Sequence, residues 1–353
     1  MTRAATAAKG QLSLTRRKWL RRLLIANAVL LAGLVGHRIL NPPPLLVGGG
    51  EPDSPEAQAI KAKVYASIPP DDAAGFARID PANPGGWLTV GKEPLQSLEV
   101  YRALPPLRPT AACRTIVLQP LEQMDSERAK MLEALRDYAT AFFQLPVRLE
   151  KPSGFVVPAS WIRGTVVTAG GRGRQYDAVK LAYDFLGPRR PADAVAYVGI
   201  TQTDLWAGEA NFVFGIGSSE QNTAVYSLAR YFPEFWGRPR RKGDEVRALR
   251  RACKVLNHEV GHIFGLSHCV FYRCSMNGAN SLQETDAAPT DYCPVCHRKL
   301  LWNIGWDGAK RYAALLAFYR KHGMTEDVRW VSARLTRWQR IAAREATDSI
   351  SAR

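Results

Sequence analysis

Apolar positions along the chain change period several times, and the changes mark out elements. Thr115-Ile116-Val117-Leu118 is a short β-branched run closed by Gln119-Pro120, which predicts a buried strand. From Ser126 to Phe143 the apolar residues Met131, Leu132, Leu135, Tyr138, Ala139 and Phe142 fall at helical spacing. Val147–Leu149 reads as a further strand, Gln175–Leu186 as a helix, and Asp193–Ile200 as a buried strand. Phe212-Val213-Phe214-Gly215 and Val225–Ala229 read as two more strands, while residues 153–165 carry no clear period. A long helix is expected over residues 244–264, with Asp244 as its N-cap or first-turn acid and Arg247, Arg250, Arg251 and Lys254 on its exposed side. Two more helices follow, Pro294–Asn303 and Ala309–Lys321. Strands alternating with helices imply right-handed crossovers and a largely parallel sheet, an α/β (mixed α+β) class.

The two ends depart from this alternation. Residues 1–22 are basic and polar, and Leu23–Gly36 is a 14-residue run without charge. That length suits a signal-peptide core better than a full span, and Thr15-Arg16-Arg17-Lys18-Trp19-Leu20-Arg21 resembles a twin-arginine export flank. An uncleaved anchor, a cleaved export signal and a hydrophobic N-terminal helix of a soluble chain all fit. Either export case puts the rest of the chain outside the cytoplasm. Residues 41–58 are a linker by their Pro and Gly content, and Trp87–Val90 and Leu95–Tyr101 are short candidate elements. Near the other end, Val328–Ala346 is a basic amphipathic helix with Trp330, Leu335, Trp338 and Ile341 on its apolar side. Packing on the domain and lying on an anionic membrane are its two readings. Four regions result: a signal or anchor (1–40), a linker with an N-terminal extension (41–110), a main domain (111–307) and C-terminal helices packing on it (308–353).

Charge changes this picture little. The 353 residues carry a formal net charge of +16, but the first 40 hold eight Lys/Arg and no acid, and most of the remaining excess follows residue 297. A basic end is a membrane flank or a solvated face more often than a groove reader, and no nucleic-acid-binding motif is present. A nucleic-acid partner is therefore not expected.

The chemistry concentrates in His258-Glu259-Val260-Gly261-His262-Ile263-Phe264-Gly265-Leu266-Ser267-His268, which holds three of the chain's six histidines. On a helix, His258 and His262 project from one face, one turn apart. Glu259 beside them completes the H-E-x-x-H pattern of zinc hydrolases. Gly265 can end the helix in a left-handed conformation and let the chain bring in His268. Three protein ligands leave a zinc position open for water, with Glu259 as its general base.

Four of the six cysteines, Cys269, Cys274, Cys293 and Cys296, lie within 28 residues directly after His268. Cys269-x4-Cys274 and Cys-Pro-Val-Cys make two thiolate pairs suited to a closed tetrahedral, structural zinc. Two disulfides or free core cysteines are the alternatives. Cys113 and Cys253 read as buried hydrophobes, and His297 and His322 as ordinary residues without ligand spacing. Between the pairs, Met276 precedes the turn former Asn277-Gly278 and is placed to floor the histidine site, or simply to fill the core.

The run H-E-V-G-H-I-F-G-L-S-H-C, then C-S-M-N-G, then C-P-V-C, resembles the archaemetzincins, a family of metzincin-clan zinc metallopeptidases. Thr115–Leu121, Arg174–Ala178, Gly199–Leu205 and Asn211–Gly215 resemble further segments of it, so the likeness covers roughly residues 110–302. It implies a compact metzincin-like fold, with a twisted mixed sheet whose edge strand borders a cleft above the active-site helix. Phe212, Val213, Phe214 and Gly215 are the candidates for that edge, where an extended peptide would add by main-chain hydrogen bonds. Met276 would be the Met-turn residue. The family typically lacks a membrane segment, and residues 1–40 depart from that pattern.

The expected function is peptide-bond hydrolysis by a metalloendopeptidase or aminopeptidase-like enzyme. Two zincs are expected, one catalytic and one structural, with a peptide or protein substrate and a monomeric chain. A non-catalytic zinc-dependent peptide-binding module and a zinc hydrolase of a non-peptide amide are the alternatives, because the motif fixes water activation and not the acyl group attacked.

Overall fold

A computed structural model describes residues 54–80, 86–90, 93–164 and 173–351. The N-terminal signal or anchor segment and most of the linker lie outside the described residues, as does the side chain of Ile341.

The N-terminal extension holds the helices α1 (Pro55–Ala66), α2 (Gly86–Val90) and α3 (Leu98–Ala103), with a single further helical turn at Pro70–Ala73. The main sheet then begins with β1 (Thr115–Pro120), followed by α4 (Ser126–Phe143) and β2 (Val147–Leu149). Asp125 caps α4, its carboxylate accepting from the Arg128 amide at 2.8 Å, and Gln144 ends the helix in a left-handed conformation. A small sheet holds β3 (Ile162–Gly164) and β4 (Arg174–Asp177). The main sheet resumes at β5 (Ala194–Thr201), with β6 (Asp204–Trp206) returning to the small sheet, and ends with β7 (Gly215–Ser218) and β8 (Thr223–Ser227). Its order is β2-β1-β5-β8-β7, parallel throughout except for β7, which runs antiparallel to β8 at the edge.

Period-2 alternation sends the strand residues to two cores. Ile116, Leu118, Ala196 and Val198 join one with α4 and the active-site helix α5 (Asp244–Ile263). Val117, Tyr197 and Val225 face the other, with Leu181 and Leu186. All eight residues of β5 are buried, as expected of a parallel strand covered on both faces. Beyond α5 come α6 (Leu282–Ala287), α7 (Pro294–Ile304), α8 (Gly308–Lys321) and α9 (Thr325–Ser351). Trp330, Leu335 and Trp338 of α9 pack on the core, so the described part of this amphipathic helix covers the domain. Among the described residues no helix is long and apolar enough to cross a membrane.

Several expected boundaries move. Gln175–Asp177 is strand rather than helix, because buried Gln175 is tied to β6 by a side-chain bond to Asp204 (2.8 Å) while Tyr176 pairs with Leu205. Helix starts only at Ala178, where the Asp177 carboxylate caps the Lys180 amide, and Leu181–Leu186 is π-helical. The edge strand begins at Gly215, where the expected one ends. Val213 instead bridges to Leu205 of the small sheet, and Phe212 and Phe214 turn their rings toward Arg230 and Tyr231. Val225–Ala229 shifts back to β8. The N-cap position of α5 is Gly243, at φ +91°, and Asp244 is a first-turn acid that accepts from the Arg241 amide at 2.7 Å. Lys254, expected on the exposed side, is 3% exposed. Cys253 is buried as expected, Cys113 only partly so. His297 is a core residue against Trp306, and His322 is half-buried against Phe318.

Candidate metal centre and cleft

The helix α5 carries His258 and His262 one turn apart, and Gly265, at φ +82°, reverses the chain so that His268 returns to them. Two backbone hydrogen bonds close this reversal, donated by the Gly265 amide to the His262 carbonyl and by the Leu266 amide to the Gly261 carbonyl, both 2.9 Å. The nitrogens of the three histidines lie within 4.8 Å of one another.

The Nδ1 atom of each ring is already engaged. His258 Nδ1 lies 3.0 Å from the Ser275 carbonyl, His262 Nδ1 2.8 Å from the Leu266 carbonyl and His268 Nδ1 2.7 Å from a Glu93 carboxylate oxygen. These partners only accept, so each Nδ1 donates and each Nε2 is left as a lone pair. Yet His258 Nε2 and His262 Nε2 stand 3.0 Å apart. Two acceptors at that distance repel unless a cation lies between them, so this donor set fits a metal ion. Burial, reinforced by the neighbouring histidines, holds the His258 imidazole well below its ordinary pKa and lowers that of His262 to about 4. Both rings are therefore neutral, the form that ligates.

Glu259 is 4% exposed, and burial pushes its carboxyl up to about 8. The strand β7 can lie this close to α5 because it is glycine there. A Cβ at Gly215 would come within 2.6 Å of Glu259 Oε1, and one at Gly217 within 2.5 Å of the Glu259 carbonyl. Met276 is fully buried with its sulfur against Gly261, under the turn of helix between the first two histidines, where it floors the site. A cleft of about 560 Å³ opens over His258, Glu259 and His268, walled by Phe212, Val213, Phe214 and Gly215 on the strand side and Trp87 on the other. All four residues expected at the edge thus line the cleft, although only Gly215 belongs to the strand.

The four cysteines form a second cluster, 0–3% exposed, whose sulfurs also lie within 4.8 Å of one another and are not joined as disulfides. Against the cost of burial, hydrogen bonds from Cys274, Cys293 and Cys296 draw the Cys269 thiol well below its usual pKa, while burial pushes Cys274 and Cys293 up. One thiolate can exist in such a group unaided; four need a cation, and the set fits a closed zinc site. The amides of Met276 (3.4 Å) and Cys293 (3.2 Å) both donate to Cys274 Sγ, bonds that would support a thiolate there once a cation offsets the cost of burial. Asn277 stitches the loop, accepting from the Cys274 amide at 2.8 Å and donating to the Cys269 and Tyr272 carbonyls. From behind, fully buried Arg311 of α8 grips Asp291 at 2.6 Å and the Phe142 carbonyl at 2.7 Å, while the Asp291 carbonyl receives the Ser275 amide.

Sequence patterning found every histidine and cysteine here but missed Glu93 and Gly217; it read Asn277 only as a turn former and Trp87 only as part of a short element, not as parts of the site. Trp87 meets the His268 ring edge-on at 5.5 Å and closes over Gly278. Glu93 is 175 residues from its partner, in a stretch without periodicity, so nothing in the sequence linked them.

A helix presenting two histidines and a glutamate to a cleft, with a third histidine after a glycine turn, defines a metal-dependent hydrolase centre. The model of Peptidase family M54 matches residues 185–301. The chain is 32% identical over 272 residues to archaemetzincin-2 of Macaca fascicularis, covering 68% of this chain and 74% of that one. It is 49% identical over 115 residues to archaemetzincin of Thermococcus kodakarensis, covering 33% and 60%. The crystal structure of archaemetzincin from Methanopyrus kandleri aligns with 26% identity and a TM-score of 0.44, over 55% of this chain and 97% of that one. The chain belongs to the archaemetzincin family of zinc-dependent metallopeptidases.

Proposed function

We propose that His258, His262 and His268 hold a catalytic zinc through their Nε2 atoms, that Cys269, Cys274, Cys293 and Cys296 hold a second, structural zinc, and that Glu259 is the general base of peptide hydrolysis. The observation that carries this reading is the convergence of Nε2 lone pairs whose rings are already anchored at Nδ1, with a buried carboxyl beside them. Zinc, when bound, supplies Lewis acidity that acidifies water and polarises a carbonyl. Glu259 accepts the water proton and passes it to the leaving amine. Burial raises its pKa and a neighbouring cation opposes the rise, which keeps the carboxylate able both to take and to release a proton near neutrality. The outer edge of β7, unpaired among the described residues, offers main-chain groups to an extended substrate, and the glycines at 215 and 217 keep that edge against α5. Ser275, Leu266 and Glu93 fix the ring orientations.

Cleavage of a mixed peptide library, abolished by a chelator and restored by zinc, is the expected result. Zinc-dependent peptide binding without cleavage would favour a binding module instead. All ligands come from one chain, which supports a monomer as the active unit. The eight cations and absent acids of residues 1–40 support a membrane-held or exported protein with the catalytic domain outside the cytoplasm. The full chain should then fractionate with membranes or the exported pool. Identical distribution after deletion of residues 1–40 would count against it.

A further inference from the structure

The cleft adjoins a second cavity of about 590 Å³, which shares Phe212, Phe214 and Asn280 with it. Along α5 each cavity has cations in its own wall, Lys254 beside His258 in the cleft and Arg247 and Arg251, with Asp244, in the second cavity. Arg247, Arg251, Lys254 and His258 are spaced four, three and four residues apart, which puts them on one face of the helix. At about 1.5 Å of rise per residue, Lys254 lies about 6 Å and Arg247 about 16 Å from His258 along the axis. An extended peptide advances about 3.3 Å per residue, so this stripe spans roughly the first five residues on one side of a bond held at the histidines.

The cations are not all neutralised within the protein. Lys254 is 97% buried (3% exposed), lines the active-site cleft, and donates only to main-chain carbonyls, those of Thr285 at 2.7 Å and Asp286 at 2.9 Å. A lysine ammonium has three donors, and among the described residues no carboxylate is bonded to the third. Arg238 and Arg241, exposed on the second cavity's wall, make no ion pair among the described residues. Arg247 is paired with Asp244 at 2.7 Å and Arg251 with Asp286. The acids of the active-site cleft are otherwise engaged: Glu93 with His268 and Glu259 beside the histidines, leaving Glu209 at the exposed rim.

We infer that the substrates are acidic peptides, with an Asp or Glu beside the scissile bond received by Lys254 and further acids by Arg238 and Arg241. The inference rests on the peptidase reading and adds the substrate class to it. The buried Lys254 amine, short of a counter-ion, gains one and is held in its ammonium form when an acidic side chain enters, whereas a neutral isostere leaves it as it was. A basic side chain placed there is repelled.

The test uses the full-length, zinc-loaded protein and a library of short peptides, with cleaved bonds located by mass spectrometry. Asp and Glu should be enriched, and Lys and Arg depleted, within about five residues of the bond on one side. Changing Glu to Gln in the best peptide should lower kcat/KM about tenfold, the scale of one charge-assisted hydrogen bond. The double variant Arg238→Ala/Arg241→Ala, at two exposed positions where folding is not at stake, should narrow the Glu-to-Gln ratio several-fold for peptides with distal acids. Lys254→Met should narrow it for the residue beside the bond. Equal kcat/KM for the Glu and Gln peptides overturns the inference while leaving the peptidase reading intact. Cleavage indifferent to acids but inhibited by an RNA oligonucleotide through Arg238 and Arg241 also overturns it. Failure of the zinc-loaded protein to cleave any peptide overturns the underlying reading and the inference with it.

Discussion

Replacing Glu93 by alanine takes away the acceptor that orients the His268 ring. The Nδ1–Oε1 distance is 2.7 Å, and the two side chains are 30% (His268) and 21% (Glu93) exposed. A hydrogen bond to a charged group contributes about 1.5–3 kcal/mol, and solvent at this partly open site reduces that to roughly 1–2 kcal/mol. The loss converts to about a fivefold to thirtyfold weaker hold on zinc at the histidine site, because His268 then samples orientations that do not ligate. Competition with a chromophoric chelator resolves it. The protein should show two zinc sites, and Glu93→Ala should weaken only one, the cysteine cluster serving as internal reference. Glu93→Gln, whose amide oxygen still accepts from Nδ1, should recover most of the affinity. Unchanged zinc affinity in Glu93→Ala would refute the claim that residues ahead of the sheet help build the metal centre.

Gly217→Ala puts a Cβ 2.5 Å from the Glu259 carbonyl and 2.9 Å from the His262 Cβ, so β7 must move off α5. A loss of about 1–3 kcal/mol in urea denaturation is expected, with lowered peptide turnover. Prolonged chelation that strips both sites should lower Tm more than Glu93→Ala does, since the cysteine zinc is proposed to staple the loop from Cys269 to α7, and calorimetry reads the difference. Burial, then the nearby Arg250, lowers the Lys254 pKa to about 7; Arg251 adds to this and Asp286 and Asp327 oppose it. The folded value lies below the unfolded value of about 10.4, so between pH 7 and 10 the unfolded chain holds the extra proton and the Lys254 contribution to stability rises with pH. The wild type should therefore gain on Lys254→Met between pH 6.5 and pH 9 in urea midpoints, and a constant difference would contradict the shift.

What could be read in the sequence follows from range. His258, His262 and His268 are bound together by one helix and one glycine turn, and the cysteine pairs by their own spacing, so local geometry carried them into the sequence pattern. The helix Ser126–Phe143 and the strand β5 were legible because each buries a continuous face. The edge strand was misplaced by three residues because hydrophobicity favours Phe212–Phe214, whereas close approach to α5 selects Gly215 and Gly217, which have no side-chain pattern to read. Lys254 was placed at the surface because charge normally marks exposure; the carbonyls that bury it come from α6, 31 and 32 residues away. Glu93 escaped for the same reason, since a single long-range hydrogen bond leaves no periodic trace.

The central claim is that Glu259 moves the proton while the histidines hold the metal. Glu259→Gln separates the two roles: zinc content measured by mass spectrometry alongside cleavage of the best library peptide should show two zincs retained and turnover reduced by at least about 10²–10⁴-fold. A variant that keeps both zincs and cleaves at the wild-type rate would contradict the account.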